Sequence, residues 1–264
     1  MRTASILTAS LTASLTACLA FVAACGPAGP QAPVNTAIES ATLTQPLSRI
    51  VFTDLAAGNL SVRRAEGTAA QVTRKLRWRG DKPPVYTETW EGQTLRITYR
   101  CPMINCSIDY TVELPGNVEV QAETSSGDVD VSGMNAPVEI GTTSGDVRLT
   151  AVKGPVTVTA TSGDVSGMDL TTGRASVTTT SGEVNLEFSA APQEVTVRAT
   201  SGDTTVLVPP RDPYRVKVET SSGDQKVVVD RSESAARTID VDSTSGDVRI
   251  GYGRARVGGT PSPT

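Results

Sequence analysis

Seven acidic residues recur through the second half of the chain, each directly after a Ser-Gly pair. With the glycines that precede them, they are Gly127 and Asp128, Gly145 and Asp146, Gly163 and Asp164, Gly182 and Glu183, Gly202 and Asp203, Gly223 and Asp224, and Gly246 and Asp247. Carboxylates that lie close together can bind Ca²⁺ through their oxygens. A pair about 5 Å apart is also the arrangement used by retaining glycosidases. Metal binding, acid–base catalysis and a purely structural turn are therefore the three uses to compare.

The spacing of the motif favours a repeated structure. The motif serines are separated by steps of 18, 18, 19, 20, 21 and 23 residues; they are Ser126, Ser144, Ser162, Ser181, Ser201, Ser222 and Ser245. A nearly constant period of this size is typical of a solenoid. Apolar-x-apolar triplets such as "VEV" at 118 and "VRL" at 147 predict short strands with one buried face. We predict an all-β parallel β-solenoid of about seven 18–23-residue repeats over residues 120–252. An antiparallel meander with Ser-Gly-Asp hairpins is the alternative.

The repeated motif is expected to form a corner rather than a chemical site. Glycine can adopt the positive φ that a tight corner needs, and Ser and Asp side chains can bond backbone groups of the same turn. Stacked coils about 4.8 Å apart would align the carboxylates, and like charges directly opposite one another are destabilising. Either outward splay into water or bound Ca²⁺ could relieve this repulsion. The motif does not match the nonapeptide of calcium β-rolls, so no metal or cofactor is expected.

Catalysis by these carboxylates is not expected either, because any two stacked aspartates would satisfy the glycosidase spacing and nothing singles out one pair. We therefore predict that the protein is not an enzyme. The connections opposite the motif differ in length and composition, from "SGMNAP" to "PPRDPYR". Solenoids often place recognition on such a variable edge.

Composition excludes several functions. The chain has no histidine, which removes histidine-based catalytic triads and histidine-ligated metal sites. The 24 Lys and Arg residues against 28 Asp and Glu residues give a formal net charge of −4. The one basic cluster, "RKLRWRG", alternates as a strand with a solvated face would, so no nucleic-acid partner is expected.

The N-terminus predicts export. Residues 1–24 are nearly uncharged and read as a signal peptide. "VAAC", ending at Cys25, resembles the lipobox of bacterial lipoproteins, in which the cysteine is acylated; "LTAC", ending at Cys18, is a weaker alternative, and an ordinary signal peptide is a third. Acylation at Cys25 would hold the protein at a membrane surface. The Pro- and Ala-rich residues 25–45 are predicted to be a flexible tether.

Residues 46–119 predict a β-rich lead-in before the repeats. They contain both tryptophans, which are expected to fill a core, with a sugar-stacking patch as the alternative. Cys101 and Cys106 are the two cysteines left after export, and an even number in an exported chain favours a disulfide. A zinc site built on them is less favoured because no histidine could complete it. Residues 253–264 are expected to be a loose tail.

These features together resemble a known family. The lipobox, the two close cysteines followed by "YTVELPGNVEV", and the recurring "TSGDV" are similar to the putative-adhesin β-strand-repeat family of bacterial envelope proteins, a domain of unknown function. The resemblance covers roughly residues 46–252. It implies an exported β-solenoid with an adhesive or envelope-associated role, and no catalytic residues.

The sequence thus predicts a non-enzymatic lipoprotein anchored to the outer face of the cell membrane, with an adhesive or scaffolding solenoid that presents its variable loop edge. The expected partners are the membrane, through the lipid anchor, and cell-wall polysaccharide or an envelope protein. The alternative is a carbohydrate-binding or carbohydrate-cleaving β-helix that uses acidic residues.

Overall fold

A computed structural model describes residues 33–101, 106–210 and 212–253. Within these ranges all the regular elements are β-strands, and the described residues include no helix that could span a membrane. The strands are β1 (Val34–Leu43), β2 (Arg49–Leu55), β3 (Leu60–Arg64), β4 (Ala70–Arg79), β5 (Val85–Glu91), β6 (Thr94–Arg100), β7 (Cys106–Leu114), β8 (Glu119–Ser126), β9 (Val129–Ser132), β10 (Val138–Ser144), β11 (Val147–Thr150), β12 (Val156–Ser162), β13 (Val165–Leu170), β14 (Arg174–Ser181), β15 (Val184–Phe188), β16 (Glu194–Ser201), β17 (Thr204–Val208), β18 (Arg215–Ser222), β19 (Gln225–Val227), β20 (Thr238–Ser245) and β21 (Val248–Tyr252).

The strands form two sheets. Sheet I has 11 strands in the order β1-β4-β7-β3-β9-β11-β13-β15-β17-β21-β19. Sheet II has 10 strands in the order β18-β20-β16-β14-β12-β10-β8-β2-β6-β5. Each coil of the chain adds one strand to each sheet, as β10 does to sheet II and β11 to sheet I.

The repeats stack in parallel and in register. Val138 of β10 aligns with Val120 of β8 on one side and with Val156 of β12 on the other. Equal positions of the repeat therefore lie above one another through the stack. The prediction of an all-β parallel solenoid is confirmed, and the antiparallel meander is wrong for the repeats.

Alternation within each strand builds the core. In β7, Ile108, Tyr110, Val112 and Leu114 are buried while the residues between them are more exposed. The same pattern of buried Val, Ile and Leu continues through the repeats, so the inner faces of both sheets pack on each other. Full burial of one such aliphatic side chain contributes roughly 1.5–3 kcal/mol relative to its exposure.

The N-terminal boundaries differ from those predicted. β1 occupies residues 34–43 of the predicted tether 25–45, and it pairs antiparallel with β4. The lead-in 46–119 is also part of the stack, because β2 and β3 pair in parallel with β8 and β9. Three antiparallel strands, β1, β4 and β5, finish this end of the two sheets. The predicted signal peptide 1–24, Cys25 and the tail beyond residue 253 lie outside the described residues.

The C-terminal coils do not follow chain order. β20 lies between β16 and β18 in sheet II, and β21 lies between β17 and β19 in sheet I. The last repeat is therefore inserted between the two repeats that precede it. The hydrogen-bonded ladder itself would accept either this interleaved order or the order of the chain. The reason is that Ser201, Ser245 and Ser222 occupy the same register position.

Candidate functional site

The motif glycines are required by the stacking itself. Their φ angles lie between 118° and 136°, in the left-handed half of the map. A Cβ added to Gly145 would lie 2.2 Å from the carbonyl oxygen of Gly127 in the neighbouring coil, and the other motif glycines make an equivalent approach of 2.1 to 2.3 Å. Glycine therefore serves both the turn and the close contact between coils.

Five of the seven motif carboxylates bind the backbone of the neighbouring coil. Asp128 Oδ1 accepts the N–H of Asp146 at 3.1 Å, and Asp146 Oδ1 accepts the N–H of Asp164 at 3.0 Å. The same bond runs from Glu183 to Asp164, from Asp247 to Asp203 and from Asp224 to Asp247. Hydrogen bonds to a charged acceptor are stronger than neutral ones. The carboxylates are therefore structural groups that join coils, instead of closing their own turn as expected.

The serines contribute their carbonyl oxygens to the same corner. Gly127 N–H donates to Ser144 O at 3.2 Å, and Gly145 N–H donates to Ser162 O at 3.2 Å. In the part of the chain that the structure describes, the hydroxyl groups of the motif serines make no hydrogen bond. The predicted bonding of the turn by serine side chains is therefore not observed.

One corner was missed by the sequence reading. Gly58 has a φ of 117°, and its carbonyl oxygen lies 2.1 Å from the position of a Cβ on Gly127. Asn59 Oδ1 accepts the N–H of Asp128 at 3.1 Å, and Asp109 Oδ1 in turn accepts the N–H of Asn59 at 3.1 Å. "AGNLSV" thus forms the same corner as "SGDVDV". The available signal was a Gly-Asn pair followed by an apolar-x-apolar triplet.

Two kinds of contact relieve the repulsion between the stacked motif carboxylates. Each hydrogen bond places an N–H dipole at a carboxylate oxygen, and Arg148 forms ion pairs with Asp146 at 3.0 Å and Asp128 at 3.5 Å. These arginine pairs are solvated and are each worth about 0–1 kcal/mol. Among the described residues, no group of three or more Cys, Asp and Glu side chains is placed to hold a metal ion.

The edge opposite the corners is irregular. A surface depression of about 570 Å³ lies where β3 ends, beside residues 65–69. Its charged lining consists of Arg63, Arg64, Glu66 and Glu113, and an ion pair joins Arg63 to Glu113. This edge therefore presents charged side chains around a concave surface, whereas the corner edge repeats one backbone arrangement.

The aromatic residues of the lead-in mainly fill the core. Phe52, Tyr99 and Tyr110 are buried, and the rings of Phe52 and Tyr110 meet edge to face at 5.6 Å. Burial raises the pKa of the Tyr110 hydroxyl well above its ordinary value. Trp78 and Trp90 are half-buried against the same core.

A charged pair closes this end of the core. The Arg74 side chain is 3% exposed and forms an ion pair with Glu88 of the opposite sheet. Its guanidinium carbon lies 4.6 Å from the centre of the Tyr86 ring. Tyr86 donates to Glu39 of β1 at 2.5 Å, and this hydrogen bond is the main cause that raises the pKa of Tyr86. The ion pair thus links β4 to β5, and the Tyr86 hydrogen bond links β5 to β1.

The predicted disulfide is confirmed. Cys101 and Cys106 are bonded, with their Cα atoms 5.7 Å apart, and the bond closes the connection from β6 to β7. Replacing both cysteines by serine is expected to lower the free energy of unfolding by about 2 kcal/mol, because a short ring restrains the unfolded chain. Urea unfolding with and without reductant tests this. Reductant should destabilise the parent chain and leave the double variant unchanged; an equal effect on both would contradict the prediction.

An ion pair also joins the inserted coil to β16. Arg198 of β16 donates to both carboxylate oxygens of Asp240 in β20, at 3.1 and 3.0 Å. The hydrogen bond from Arg198 lowers the pKa of Asp240 below its ordinary value. Asp242 lies farther from Arg198, at 4.0 Å.

Asp240→Asn is expected to lose stability at neutral pH, and its difference from the parent chain should shrink in acid. Because the folded-state pKa of Asp240 is lowered, its contribution is present above the unfolded value of about 4 and is lost as pH falls through the folded value. Urea unfolding at pH 7 and pH 3 tests this sign. Asp242→Asn is the control and should change stability less at pH 7. A difference for Asp240→Asn that grew in acid would contradict the assignment.

These features define a class: a parallel β-solenoid whose coils are joined at a repeated Gly-Asp corner. The family model Toastrack DUF4097 matches residues 50–251, and the chain belongs to that family. The resemblance to a putative-adhesin domain of unknown function is thereby confirmed. No curated protein matches the chain.

Solved structures of bacterial proteins are also similar. A "putative cell adhesion protein" from Clostridium sporogenes shares 11% identity over 84% of this chain and 100% of its own, with a TM-score of 0.41. A "putative adhesin" from Bacteroides fragilis shares 13% identity over 82% and 97%, with a TM-score of 0.49. Another from Parabacteroides merdae shares 10% identity over 83% and 96%, with a TM-score of 0.28.

Proposed function

We propose that this protein is a non-enzymatic lipoprotein of the cell envelope, anchored through acylated Cys25, whose solenoid serves as an adhesive or scaffolding module. The observation that carries the proposal is the contrast between the two edges of the stack. The corner edge repeats one backbone arrangement, while the opposite edge varies in loop length and carries the charged depression beside residues 65–69. This contrast supports a recognition role for the variable edge.

The non-enzymatic part of the proposal is supported by the use of the carboxylates. At five of the corners the motif carboxylate accepts a backbone N–H from the neighbouring coil: Asp128 accepts from Asp146, Asp146 from Asp164, Asp164 from Glu183, Asp203 from Asp247, and Asp247 from Asp224. Groups that carry the same structural bond at successive coils do not provide one distinct acid and one distinct base. Their chemistry is that of an inter-coil joint.

The anchor is tested by replacing the two candidate cysteines separately. Cys25→Ala is expected to abolish incorporation of radiolabelled palmitate and to move the protein from the membrane fraction to the soluble fraction. Cys18→Ala is the matched control and should leave both unchanged. Acylation that persisted in Cys25→Ala but disappeared in Cys18→Ala would assign the anchor to Cys18; absence of radiolabel from the parent chain itself would remove the lipoprotein proposal.

The recognition edge is tested by co-sedimentation of residues 26–264 with purified cell-wall polysaccharide. Saturable binding is expected, and Arg64→Ala on the variable edge should weaken it. Arg148→Ala, beside the corners, is a control of the same residue type and should bind as the parent chain does. Equal loss in both variants would argue against the variable edge. No binding by the parent chain would leave an envelope protein as the partner and remove polysaccharide.

Carbohydrate binding with cleavage is the second candidate, favoured by Glu66 and Glu113 in the depression. Released sugar in the supernatant of the same experiment would support it. Loss of release in Glu66→Gln, with an unchanged unfolding midpoint, would then separate catalysis from folding.

A further inference from the structure

The last repeat occupies a position that the chain leaves open for it. After β17 ends at Val208, the chain does not place β18 beside β16 but one coil farther away. Residues 238–252, here called the C-terminal insert, then return and fill the position between them. The insert is thus surrounded on both sides by strands that precede it in the sequence.

The insert is held by noncovalent contacts that resemble those of a bound ligand. Ile239, Val241, Val248 and Ile250 are fully buried in the core. Its strands pair in parallel with β16 and β18 in sheet II and with β17 and β19 in sheet I. Almost all of its stabilisation therefore comes from segments that are distant in sequence.

Its covalent connection is a largely exposed linker. Within residues 228–237, Val229 is the one buried apolar side chain, with 7% exposure. Backbone bonds join the linker to Tyr214, whose N–H donates to Asp230 O and whose carbonyl accepts from Ser232 N–H. The linker is also held by the Arg237 side chain, which donates to Asp212, Ala191 O and Pro192 O, and by the N–H groups of Val228 and Asp230, which donate to Ile250 O and the Tyr252 hydroxyl. Ten residues of extended chain can span up to about 33 Å. The linker is long enough to reach a neighbouring molecule once these contacts open.

The order of the chain makes an open position unavoidable during folding. β18 and β19 precede the insert, so they must be held away from β16 and β17, or move away, before the insert can enter. At that stage the position accepts any segment with the same sequence. Identical residues from a second copy would bring the same partners, including Asp240 for Arg198.

We propose that the C-terminal insert of one molecule can fill this position in a second copy of the chain, so that two molecules are joined by exchange of residues 238–252. The contacts inside each stack stay the same in the exchanged pair, and the linker is the part that changes, which is the condition for domain swapping. Repeat proteins are prone to such exchange because neighbouring coils are alike. The proposal does not depend on the lipid anchor or on the recognition edge.

The test uses two differently tagged copies of residues 26–264. One carries Thr205→Cys on β17 and the other Arg249→Cys on β21; these positions are direct register partners on the outer face of sheet I. The copies are unfolded together in urea with their native disulfide intact, refolded at high protein concentration, oxidised, and examined on non-reducing gels. A disulfide-linked band that contains both tags is expected, because the exchange places the thiol introduced on β17 of one copy beside the thiol introduced on β21 of the other.

Two controls make the outcome decisive. Ser166→Cys on β13, on the same outer face but not adjacent to Arg249, replaces Thr205→Cys and should give no band with both tags above background. The double variant Thr205→Cys/Arg249→Cys in one chain, refolded in dilute solution, should close its bond internally and run as a monomer. Absence of the mixed band, an equal band with Ser166→Cys, or failure of the double variant to close would each overturn the proposal.

Discussion

Gly145→Ala is expected to lower the free energy of unfolding by about 3 kcal/mol. The new Cβ would lie 2.2 Å from the carbonyl oxygen of Gly127, and the residue would keep a φ of 136° that side chains rarely adopt. Strained backbone of this kind costs of order 1–3 kcal/mol, and separation of the coils adds to that cost. Urea unfolding followed by far-UV circular dichroism measures the effect.

Gly173→Ala is the matched control. Gly173 lies on the variable edge with no atom within 4 Å of an added Cβ, so its replacement should change stability by less than about 0.5 kcal/mol. Equal effects at the two glycines would mean that the inter-coil approach is not what requires glycine at the corner.

Glu88→Ala is expected to cost about 3–5 kcal/mol, because it leaves the buried guanidinium of Arg74 without its partner. The loss should appear in urea unfolding monitored by the fluorescence of Trp78 and Trp90, which pack against the same part of the core. The charge, rather than the volume of the side chain, is the expected cause.

Two further variants separate charge from packing. Glu194→Ala removes the partner of Arg174 in a pair whose side chains are 71% and 53% exposed, and should change stability by less than about 1 kcal/mol. The double variant Arg74→Met/Glu88→Met should recover most of the loss, since it removes both charges and keeps apolar volume. A double variant as unstable as Glu88→Ala would show that packing, and not the unpaired charge, dominates.

The repeats could be predicted because their information is local and repeated. The Ser-Gly-Asp period, the apolar-x-apolar triplets and the need for a positive φ at Gly127 all lie within a few residues of one another. The disulfide between Cys101 and Cys106 could be predicted for the same reason, because the two cysteines are five positions apart in the sequence.

The missed features depend on residues that are far apart in sequence. Gly58 precedes Gly127 by 69 residues, since β4 to β7 are inserted between their coils, and Asn59 replaces the aspartate of the motif. β1 looks like a tether because its burial is partial and its ladder is supplied by β4. The position of the C-terminal insert involves Arg198 and Asp240, whose pairing no local pattern indicates.

The uniform corner also makes the stack modular in its growth. Each corner meets its neighbour through a glycine against a glycine carbonyl, and five of these contacts add an N–H against a carboxylate. A duplicated or deleted coil between Ser144 and Ser162 would therefore rejoin surfaces that already fit, and would change the length of the stack by about 4.8 Å. The interleaved C-terminal coils lack this freedom, because their order is set by side-chain pairs as well as by the ladder. Gain and loss of coils are thus expected in the interior of the solenoid and not among its C-terminal coils.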